Sequence, residues 1–213
     1  MRIVVTGATS FIGLAVIENL LHGGHEVLAV ARPDSPGRKK LEGRKGIRIL
    51  TCGLDHIGNL TDPLVLAGRP DGPGGSGAAR GADAWLHLGW EGAGSANRQN
   101  PQLQARNIGY ALESLRTAAA IGCTRFLFSG SQAEYGIYRT VMKEDGVCSP
   151  VSEYGKDKLE VCRRASEEAE RLGITYIHAR IFSVYGPGDH PWSLVSTCID
   201  TFLRGGHMEM GAC

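Results

Sequence analysis

An unbroken apolar run at the start of the chain passes directly into a glycine turn and then into a helical repeat. Residues 2–6 (Arg-Ile-Val-Val-Thr) are short and rich in β-branched side chains, as a strand buried on both faces should be. From 11 to 21 the apolar residues follow a helical period, and Gly23-Gly24 ends the helix. This order constrains the fold more than any other feature, because strand, glycine turn and helix together open a βαβ unit.

The same alternation continues along the chain. Further strands are predicted at 26–31, 47–51, 84–88, 126–129 and 175–179, with helices near 102–120 and 153–172. Parallel strands need long crossovers, which helices usually supply. The spacing therefore predicts an α/β fold with a doubly wound parallel sheet, Rossmann-like, and helices on both faces. The glycine-rich segment 68–81 is predicted to be a flexible connection.

Length, charge and cysteine spacing narrow the function classes. The 213 residues suffice for one globular domain, and the net charge of +1 lacks the basic excess that nucleic acid or an anionic membrane would need. We see no apolar run of about 18 residues and no secretory leader, so we expect a cytoplasmic protein without a membrane span that binds small molecules. Six scattered cysteines without a C-x-x-C pair are expected to be free thiols, and no metal site is predicted.

A glycine-containing loop follows the first strand directly. Residues 6–13 read Thr-Gly-Ala-Thr-Ser-Phe-Ile-Gly and open the first helix. Glycines let the backbone approach a diphosphate, whose charge is favoured by the free N–H groups and the positive end of the helix dipole. A tight turn without a ligand would use the same residues, but the position after the first strand favours a dinucleotide site. The predicted cofactor contacts in this loop are Gly7, Thr9, Ser10, Phe11, Ile12 and Gly13.

The end of the second strand bears on the choice of cofactor. An acid there would bond the ribose 2′-hydroxyl of NAD, whereas a nearby Arg accommodates the 2′-phosphate of NADP. The sequence reads Val-Ala-Arg-Pro at 30–33, with a base and no acid. Arg32 therefore favours NADP over NAD, the alternative being that it is an ordinary solvated loop residue.

A tyrosine and a lysine four residues apart begin the helix predicted at 153–172. Tyr154 and Lys158 share one helix face, so their side chains can converge. A phenol is a poor base at neutral pH, but a nearby ammonium stabilises the phenolate and is expected to lower the pKa of Tyr154. Such a pair suits hydride chemistry, in which an alcohol loses, or a carbonyl gains, a proton. The motif is weak alone and gains weight from the glycine loop.

These features together resemble the extended short-chain dehydrogenase/reductase family, the NAD-dependent epimerases and dehydratases that modify nucleotide sugars. Its fingerprint T-G-x-x-G-x-x-G matches residues 6–13 except at Ser10, where glycine is expected and where a serine either narrows the approach to the cofactor or donates a hydrogen bond to a phosphate oxygen. The segment 126–136 resembles the part that carries the catalytic Ser or Thr. Residues 84–90 and 180–187 extend the match.

The resemblance implies a catalytic triad. Ser131 would bond the substrate oxygen, Tyr154 would exchange its proton, and Lys158 would contact the cofactor ribose. Ser129 is the competing serine, and capping of the strand end is the alternative use of both serines.

Further contacts follow from the same resemblance. Leu88 and Gly89 are expected at the cofactor, together with Tyr154 and Lys158 themselves. Substrate contacts are expected at Ser131, Gln132 and Ser183, although the family usually has Asn in the last position. Asn107 matches a position that ties the central strands together, unless it is a surface residue.

One local feature separates the reactions that the resemblance implies. Dehydratases need an added acid/base pair, usually Asp-Glu, where this sequence has Gln132-Ala133; Glu134 lies one place further on, so dehydration is disfavoured. A 4-epimerase and a 4-ketoreductase remain, with a slight tilt towards the reductase from Arg32. A non-catalytic NAD(P)-binding sensor or scaffold on the same fold is the alternative. The implied partner is a nucleotide-sugar substrate, and a homodimer is possible.

The end of the chain sets the expected domain division. Substrate-binding segments of the family lie mostly beyond the Tyr-Gly-Pro stretch at 185–187. We therefore assign 1–180 to an NAD(P)-binding Rossmann-like domain and 181–213 to the start of an incomplete substrate-binding part. The C-terminal substrate-binding part is expected to be largely absent, and turnover by this chain is expected to be poor.

Overall fold

The strands form one parallel sheet. The structure is a computed structural model that describes residues 1–62 and 81–209, and within them six strands pair in the order β3-β2-β1-β4-β5-β6, every neighbouring pair parallel. Their bounds are β1 Arg2–Thr6, β2 Glu26–Ala31, β3 Ile47–Thr51, β4 Ala84–His87, β5 Arg125–Ser131 and β6 Thr175–Ile181. The strand order reverses between β1 and β4, where ligands of open α/β sheets bind beyond the carboxyl ends of the strands.

Four α-helices follow the strands in the described residues. They are α1 Phe11–His22, α2 Pro101–Ala120, α3 Glu153–Leu172 and α4 Leu194–Leu203. Each begins after a Ser or Asn whose side chain accepts a hydrogen bond from a backbone N–H of the first turn, which satisfies a donor that has no partner inside the helix. The strands and the first three helices agree with prediction to within two residues, whereas α4 was not predicted.

The sheet is covered on both faces. On one face Ile3 and Val5 pack with Ile17 of α1. On the other, Val4 belongs to a larger core with Leu115 of α2 and Val161 of α3. Because successive strand residues point to opposite faces, the central residues of β1, Ile3, Val4 and Val5, all have to be apolar. The predicted doubly wound, Rossmann-like sheet is confirmed.

The chain divides into two compact units, Met1–Ile181 and Phe182–Cys213. The first contains the whole sheet and α1 to α3. The second contains α4, which Ser193 caps through the N–H of Ser196 at 3.3 Å.

Some of the predictions concern features that the structure describes only in part. The predicted loop at 68–81 lies, apart from Gly81, outside the described residues. Within those residues no helix has the length and apolar character needed to cross a bilayer, and no group of three or more His, Cys, Asp or Glu is placed to hold a metal ion. The cysteines among the described residues, Cys52, Cys123, Cys148, Cys162 and Cys198, are free.

Candidate active site

In the glycine loop, residues 6–13, main-chain segments pack directly against each other. Gly7 has a φ of +65°, and a Cβ there would lie 2.7 Å from the N atom of Gly89 at the end of β4. A Cβ on Gly13 would lie 2.2 Å from the carbonyl oxygen of Gly7. Both distances are impossible for a real side chain, so only glycine permits this packing. The loop and the predicted cofactor residues Leu88 and Gly89 are therefore brought together.

Ser10, which departs from the family fingerprint, caps α1. Its Oγ accepts a hydrogen bond of 3.0 Å from the N–H of Gly13, and its own N–H bonds to the carbonyl of Gly7. Thr9 bonds to Ser35 through the two hydroxyls at 2.7 Å, which attaches the loop after β2 to the glycine loop. The Ser10 hydroxyl thus accepts a hydrogen bond from one of the helix N–H groups that would otherwise be free to bind an anion. Phe11 and Ile12 are half-buried.

Arg32 stands at the end of β2, as predicted, but with an acid beside it. Its Nε lies 3.9 Å from the carboxylate of Asp34, and the two side chains are 61% and 80% exposed. The sequence prediction considered only the residues at the strand end and missed Asp34. Both a base and an acid are therefore available at this edge of the sheet.

Tyr154 and Lys158 lie at the start of α3, beside the end of β5. Their exposed fractions are only 8% and 2%. Gly155 makes this approach possible, since a Cβ there would lie 2.4 Å from the carbonyl oxygen of Ala133. The sequence analysis overlooked this glycine, although its place between the two functional residues was the available signal.

The two competing serines have different contacts. The side chain of Ser131 interacts with the phenol of Tyr154 and acts to lower its pKa, and its Oγ accepts a bond of 3.2 Å from the N–H of Ala133. Ser129 instead contributes its backbone carbonyl, which accepts a bond of 2.5 Å from Nζ of Lys158. Ser131 therefore lies beside the tyrosine and also caps the strand end. We call Ser131, Tyr154 and Lys158 the proton-transfer cluster.

Burial dominates the electrostatics of this cluster. It raises the pKa of Tyr154, against the smaller lowering effects of Ser131 and of Arg98. It lowers the pKa of Lys158 to about 7. The shift of the tyrosine is opposite to the predicted direction because burial outweighs the groups that lower its pKa. Nζ of Lys158 is bonded to the Ser129 carbonyl and lies 5.6 Å from the centre of the Tyr154 ring.

Aromatic rings surround the lysine. Nζ of Lys158 lies 4.1 Å from the ring centre of Trp90 and 4.6 Å from that of Phe128. Trp90 also meets Tyr154 edge to face, with ring centres 5.8 Å apart. The guanidinium of Arg98 lies over the ring of Tyr154, 4.8 Å from the ring centre. Neither Trp90 nor Arg98 was picked out from sequence, although Trp90 directly follows the predicted Leu88 and Gly89.

A buried histidine links the glycine loop to the cluster. Thr6, His87 and Phe128 occupy matched positions on β1, β4 and β5. Nδ1 of His87 lies 3.2 Å from the Thr6 hydroxyl, and its ring stacks on Phe128. Burial, helped by the charge of Lys158, lowers the pKa of His87 to about 3, so the ring is neutral. In the described part of the chain its Nε2 has no hydrogen-bond partner.

Glu134 is the centre of a buried ionic network. Its carboxylate accepts bonds from the N–H of Ser131 at 2.7 Å and from Arg180 at 2.9 Å, and His178 pairs with it at 2.9 Å. Burial alone would raise the pKa of Glu134, but these partners outweigh burial and hold it below the usual value. Glu134 therefore fixes the backbone of Ser131 and is fully engaged.

The remaining predicted residues, Asn107, Gln132 and Ser183, differ in how deeply they are buried. Asn107 is buried, and its Oδ1 accepts a bond of 2.7 Å from the N–H of Glu91 after β4, so it is no surface residue. Gln132 is half-buried next to Ser131. Ser183 lies in the second unit, where it is exposed.

The comparisons with known proteins agree with one another. The model of the NAD dependent epimerase/dehydratase family matches residues 3–211. The Bacillus subtilis protein YtcB, named an uncharacterized UDP-glucose epimerase, is 28% identical over 200 residues, which are 90% of this chain and 59% of YtcB. The chain thus spans less than two thirds of the length of this curated relative.

Solved structures show the same likeness. MoeE5 in complex with UDP-glucose and NAD has a TM-score of 0.75 at 27% identity, with 96% of this chain and 62% of MoeE5 covered. The UDP-glucose 4-epimerase of Thermotoga maritima, solved with UDP-glucose, has a TM-score of 0.78 at 23% identity. All of this chain and 66% of that one are covered, and at this identity the likeness shows the fold.

Proposed function

Since the chain belongs to the NAD dependent epimerase/dehydratase family, we propose that it binds NAD(P) and oxidises or reduces a sugar carbon of a nucleotide sugar. The resemblance that the sequence motifs predicted is thereby confirmed at the level of the family. The observation that supports the proposed reaction most is the interaction between the Ser131 side chain and Tyr154, with the Lys158 ammonium buried beside them. The names of the relatives support a nucleotide-sugar substrate, since YtcB is named for UDP-glucose and MoeE5 was solved with UDP-glucose and NAD.

The glycine loop fits a dinucleotide. At Gly7 and Gly13 a Cβ would collide with backbone, so the loop offers bare main chain where a diphosphate could approach the N-terminus of α1. Gly7, Thr9, Ser10, Phe11, Ile12, Gly13, Leu88 and Gly89 would hold the dinucleotide. When bound, it supplies the hydride acceptor or donor that the side chains of the chain lack.

The proton-transfer cluster would handle the accompanying proton. Ser131 would hold the substrate oxygen against the hydroxyl of Tyr154. Because burial raises the pKa of Tyr154, the phenol is protonated at neutral pH and suits donation to a carbonyl oxygen. Lys158, with a pKa of about 7, holds or releases a proton beside it near neutrality. A protonated phenol suits the reducing step, which is the whole reaction of a 4-ketoreductase and the second half of the turnover of a 4-epimerase, so both reactions are proposed.

Dehydration remains disfavoured. Gln132 and Ala133 lack the carboxylate and the acid that it needs. Glu134 is engaged with Ser131, His178 and Arg180, and so has no free oxygen to offer a substrate.

The cofactor is proposed to be NAD, with NADP as the second candidate. The family name and the NAD bound to MoeE5 support NAD. Arg32 supports NADP, but Asp34 partly neutralises it and could itself meet a ribose hydroxyl.

A turnover assay tests the proposal. The chain is incubated with NAD or NADP and a UDP-sugar, or with NADH or NADPH and its 4-keto derivative, and products are followed by NMR and by absorbance of the reduced cofactor. Tyr154→Phe is expected to reduce turnover by roughly 100- to 10,000-fold while cofactor affinity stays nearly constant, because only the exchangeable proton is lost. Tyr138→Phe, at a half-exposed tyrosine, is the matched control. Full activity of Tyr154→Phe would remove this residue from the reaction.

A non-catalytic NAD(P)-binding protein is the second candidate function. Ser10, whose hydroxyl accepts a hydrogen bond from the N–H of Gly13 where the family fingerprint has glycine, bears on cofactor affinity in both candidates and does not separate them. Calorimetry separates the two candidates, since cofactor binding without turnover of any nucleotide sugar would favour the sensor or scaffold.

A further inference from the structure

Lys158 is a buried ammonium without a carboxylate in contact. Its exposed fraction is 2%, and its polar contact is the carbonyl of Ser129. In the described part of the chain no acid forms an ion pair with it, and Glu134 acts on it only as a more distant charge. One carbonyl is little compensation for burying a charge, which normally needs a counter-ion. The rest of its stabilisation has to come from its other neighbours.

Those neighbours are the faces of two aromatic rings. Trp90 is the nearer, at 4.1 Å, and Phe128 lies at 4.6 Å. Both are within the distance at which a ring face attracts a cation, and a desolvated site strengthens the attraction. Tryptophan is the strongest partner of this kind.

The indole of Trp90 is held in place from its far side. Its Nε1–H donates a bond of 2.7 Å to Oε1 of Gln104. The amide nitrogen of Gln104 in turn donates to the carbonyls of Gly92 and Asn97, both at 2.9 Å, and the side chain is fully buried. These three bonds fix the rotamer of Gln104 and, through it, the plane of the indole.

We propose that Trp90 is a positioning residue whose ring face holds the Lys158 ammonium at the Ser129 carbonyl and whose perpendicular contact with the ring of Tyr154 fixes that ring. The edge-to-face contact with Tyr154, at an interplanar angle of 84°, supplies the second half of this role. Loss of the indole face would let the lysine give up its proton at lower pH.

Three titratable groups face Lys158 from the elements packed around it. Tyr154 lies one turn earlier on α3, and its phenol is neutral near pH 7. His87, on β4, is kept neutral by burial and so does not repel the ammonium. Glu134, after β5, favours the ammonium from a distance. Since none of these groups changes charge near pH 7, a titration of Lys158 in that range reports on the lysine itself.

The direct test is an NMR titration of the free protein with lysine isotopically labelled at its ε carbon. The signal of Lys158 is assigned by its absence from Lys158→Met. Trp90→Leu is expected to lower the titration midpoint by about one pH unit, a tenfold change in the ratio of ammonium to amine. Trp90→Phe keeps a ring face and is expected to lower it by less than half as much. Equal midpoints in the three proteins, or equal falls in the two variants, would overturn the proposal.

A fluorine series serves if Trp90→Leu does not fold. Tryptophans that carry one to four ring fluorines keep their shape but lose electron density from the ring face. The midpoint of Lys158 should fall with each added fluorine in the native chain, and should not respond in Trp90→Phe grown on the same tryptophans, where Trp85 and Trp192 still carry the label. A fluorine effect that persists in Trp90→Phe, or none in the native chain, contradicts the role of Trp90.

The consequence for turnover rests on the proposed function, whereas the titration does not. The pH at which turnover is half-maximal should shift with the NMR midpoint in Trp90→Phe. A titration that responds to Trp90 in a chain without any turnover would support the inference and count against the proposed reaction. Turnover with an unresponsive titration would overturn the inference alone.

Discussion

The glycine loop and the proton-transfer cluster belong to one candidate site, but they depend on opposite features. The loop needs glycines, which have no side chain, whereas the cluster needs the side chains of Ser131, Tyr154 and Lys158. At Gly7 and Gly13 any Cβ would collide with main chain. At Tyr154 and Lys158 the proposed function lies in two groups whose pKa values burial shifts. Changes in the loop should therefore lower stability and cofactor affinity together at any pH, whereas changes in the cluster should alter turnover and the way in which stability depends on pH.

The largest expected effect concerns the stability cost of Lys158. Its pKa in the folded state, about 7, lies below the ordinary value of 10.5. Between these pH values the unfolded chain binds the extra proton, so the free energy of unfolding rises with pH. At 1.36 kcal/mol for each pKa unit, the folded protein is less stable below pH 7 than at high pH by on the order of 5 kcal/mol from this group.

Lys158→Met measures that cost. The variant is expected to be more stable than the native chain at pH 6.5, and its advantage should shrink as the pH rises from 7 towards 10.5. Over this range the folded native lysine is already largely neutral, and the charged form of the unfolded chain loses its advantage as the pH approaches 10.5. Urea denaturation of both proteins across this range gives the difference, in which groups common to both cancel. A difference that does not depend on pH would show that burial does not shift the pKa of Lys158.

These two regions also differ in how far sequence could predict them. The glycine loop could be predicted because it is a contiguous motif after a buried strand. Tyr154 and Lys158 could be predicted because they lie four residues apart on one helix. The strands were predictable because burial on both faces demands continuous apolar runs. Helix α4 was missed although Ser193 and the apolar residues after it carried the signal of a capped amphipathic helix.

The surroundings of the cluster could not be predicted, because they come from residues far apart in sequence. Trp90 reaches Lys158 from the segment that follows β4, and Glu134 meets His178 across 44 positions of the chain. No local pattern states that these side chains meet. The predicted pKa shift of Tyr154 was wrong for the same reason, since burial is a property of the folded chain.

A smaller effect is expected from the network that supports Ser131. Glu134→Gln removes the charge that pairs with His178 and Arg180 and should cost about 3 kcal/mol, because it leaves the partly buried guanidinium of Arg180 without its carboxylate. Glu42→Gln, in the exposed pair with Arg38, is the control and should cost about 1 kcal/mol or less. Equal losses in the two variants, measured by urea denaturation, would mean that the network contributes no more than a surface pair.

Two helical glycines give a sharper test of the loop. Gly13→Ala places a Cβ 2.2 Å from the carbonyl of Gly7 and should destabilise the fold by about 1–3 kcal/mol and weaken NAD binding. Gly109→Ala, on α2, meets nothing within 4 Å and should stabilise by about 0.5–1 kcal/mol. Denaturation and calorimetry on both variants compare the same substitution in two settings. If Gly13→Ala were as stable as Gly109→Ala, the close packing of the loop would be wrong.

The smallest effect is expected from Arg32 and Asp34, two exposed charged residues after β2, next to the glycine loop. Arg32→Ala is expected to weaken NADP binding about fivefold and to change NAD binding by less than about twofold, because only NADP carries the phosphate that the guanidinium would meet. The loss is modest since Arg32 is 61% exposed and lies near Asp34, so water, salt and an acid all compete for its charge. Asp34→Asn is the matched variant, and by freeing the guanidinium it should strengthen NADP binding. Calorimetry with NAD and NADP at low and at high salt measures the affinities of the native chain and of both variants. The effect of Arg32 on NADP affinity should become smaller as salt is added. An equal loss for NAD and NADP in Arg32→Ala would assign the residue to the fold of the loop, and no loss for either would make it a solvated side chain.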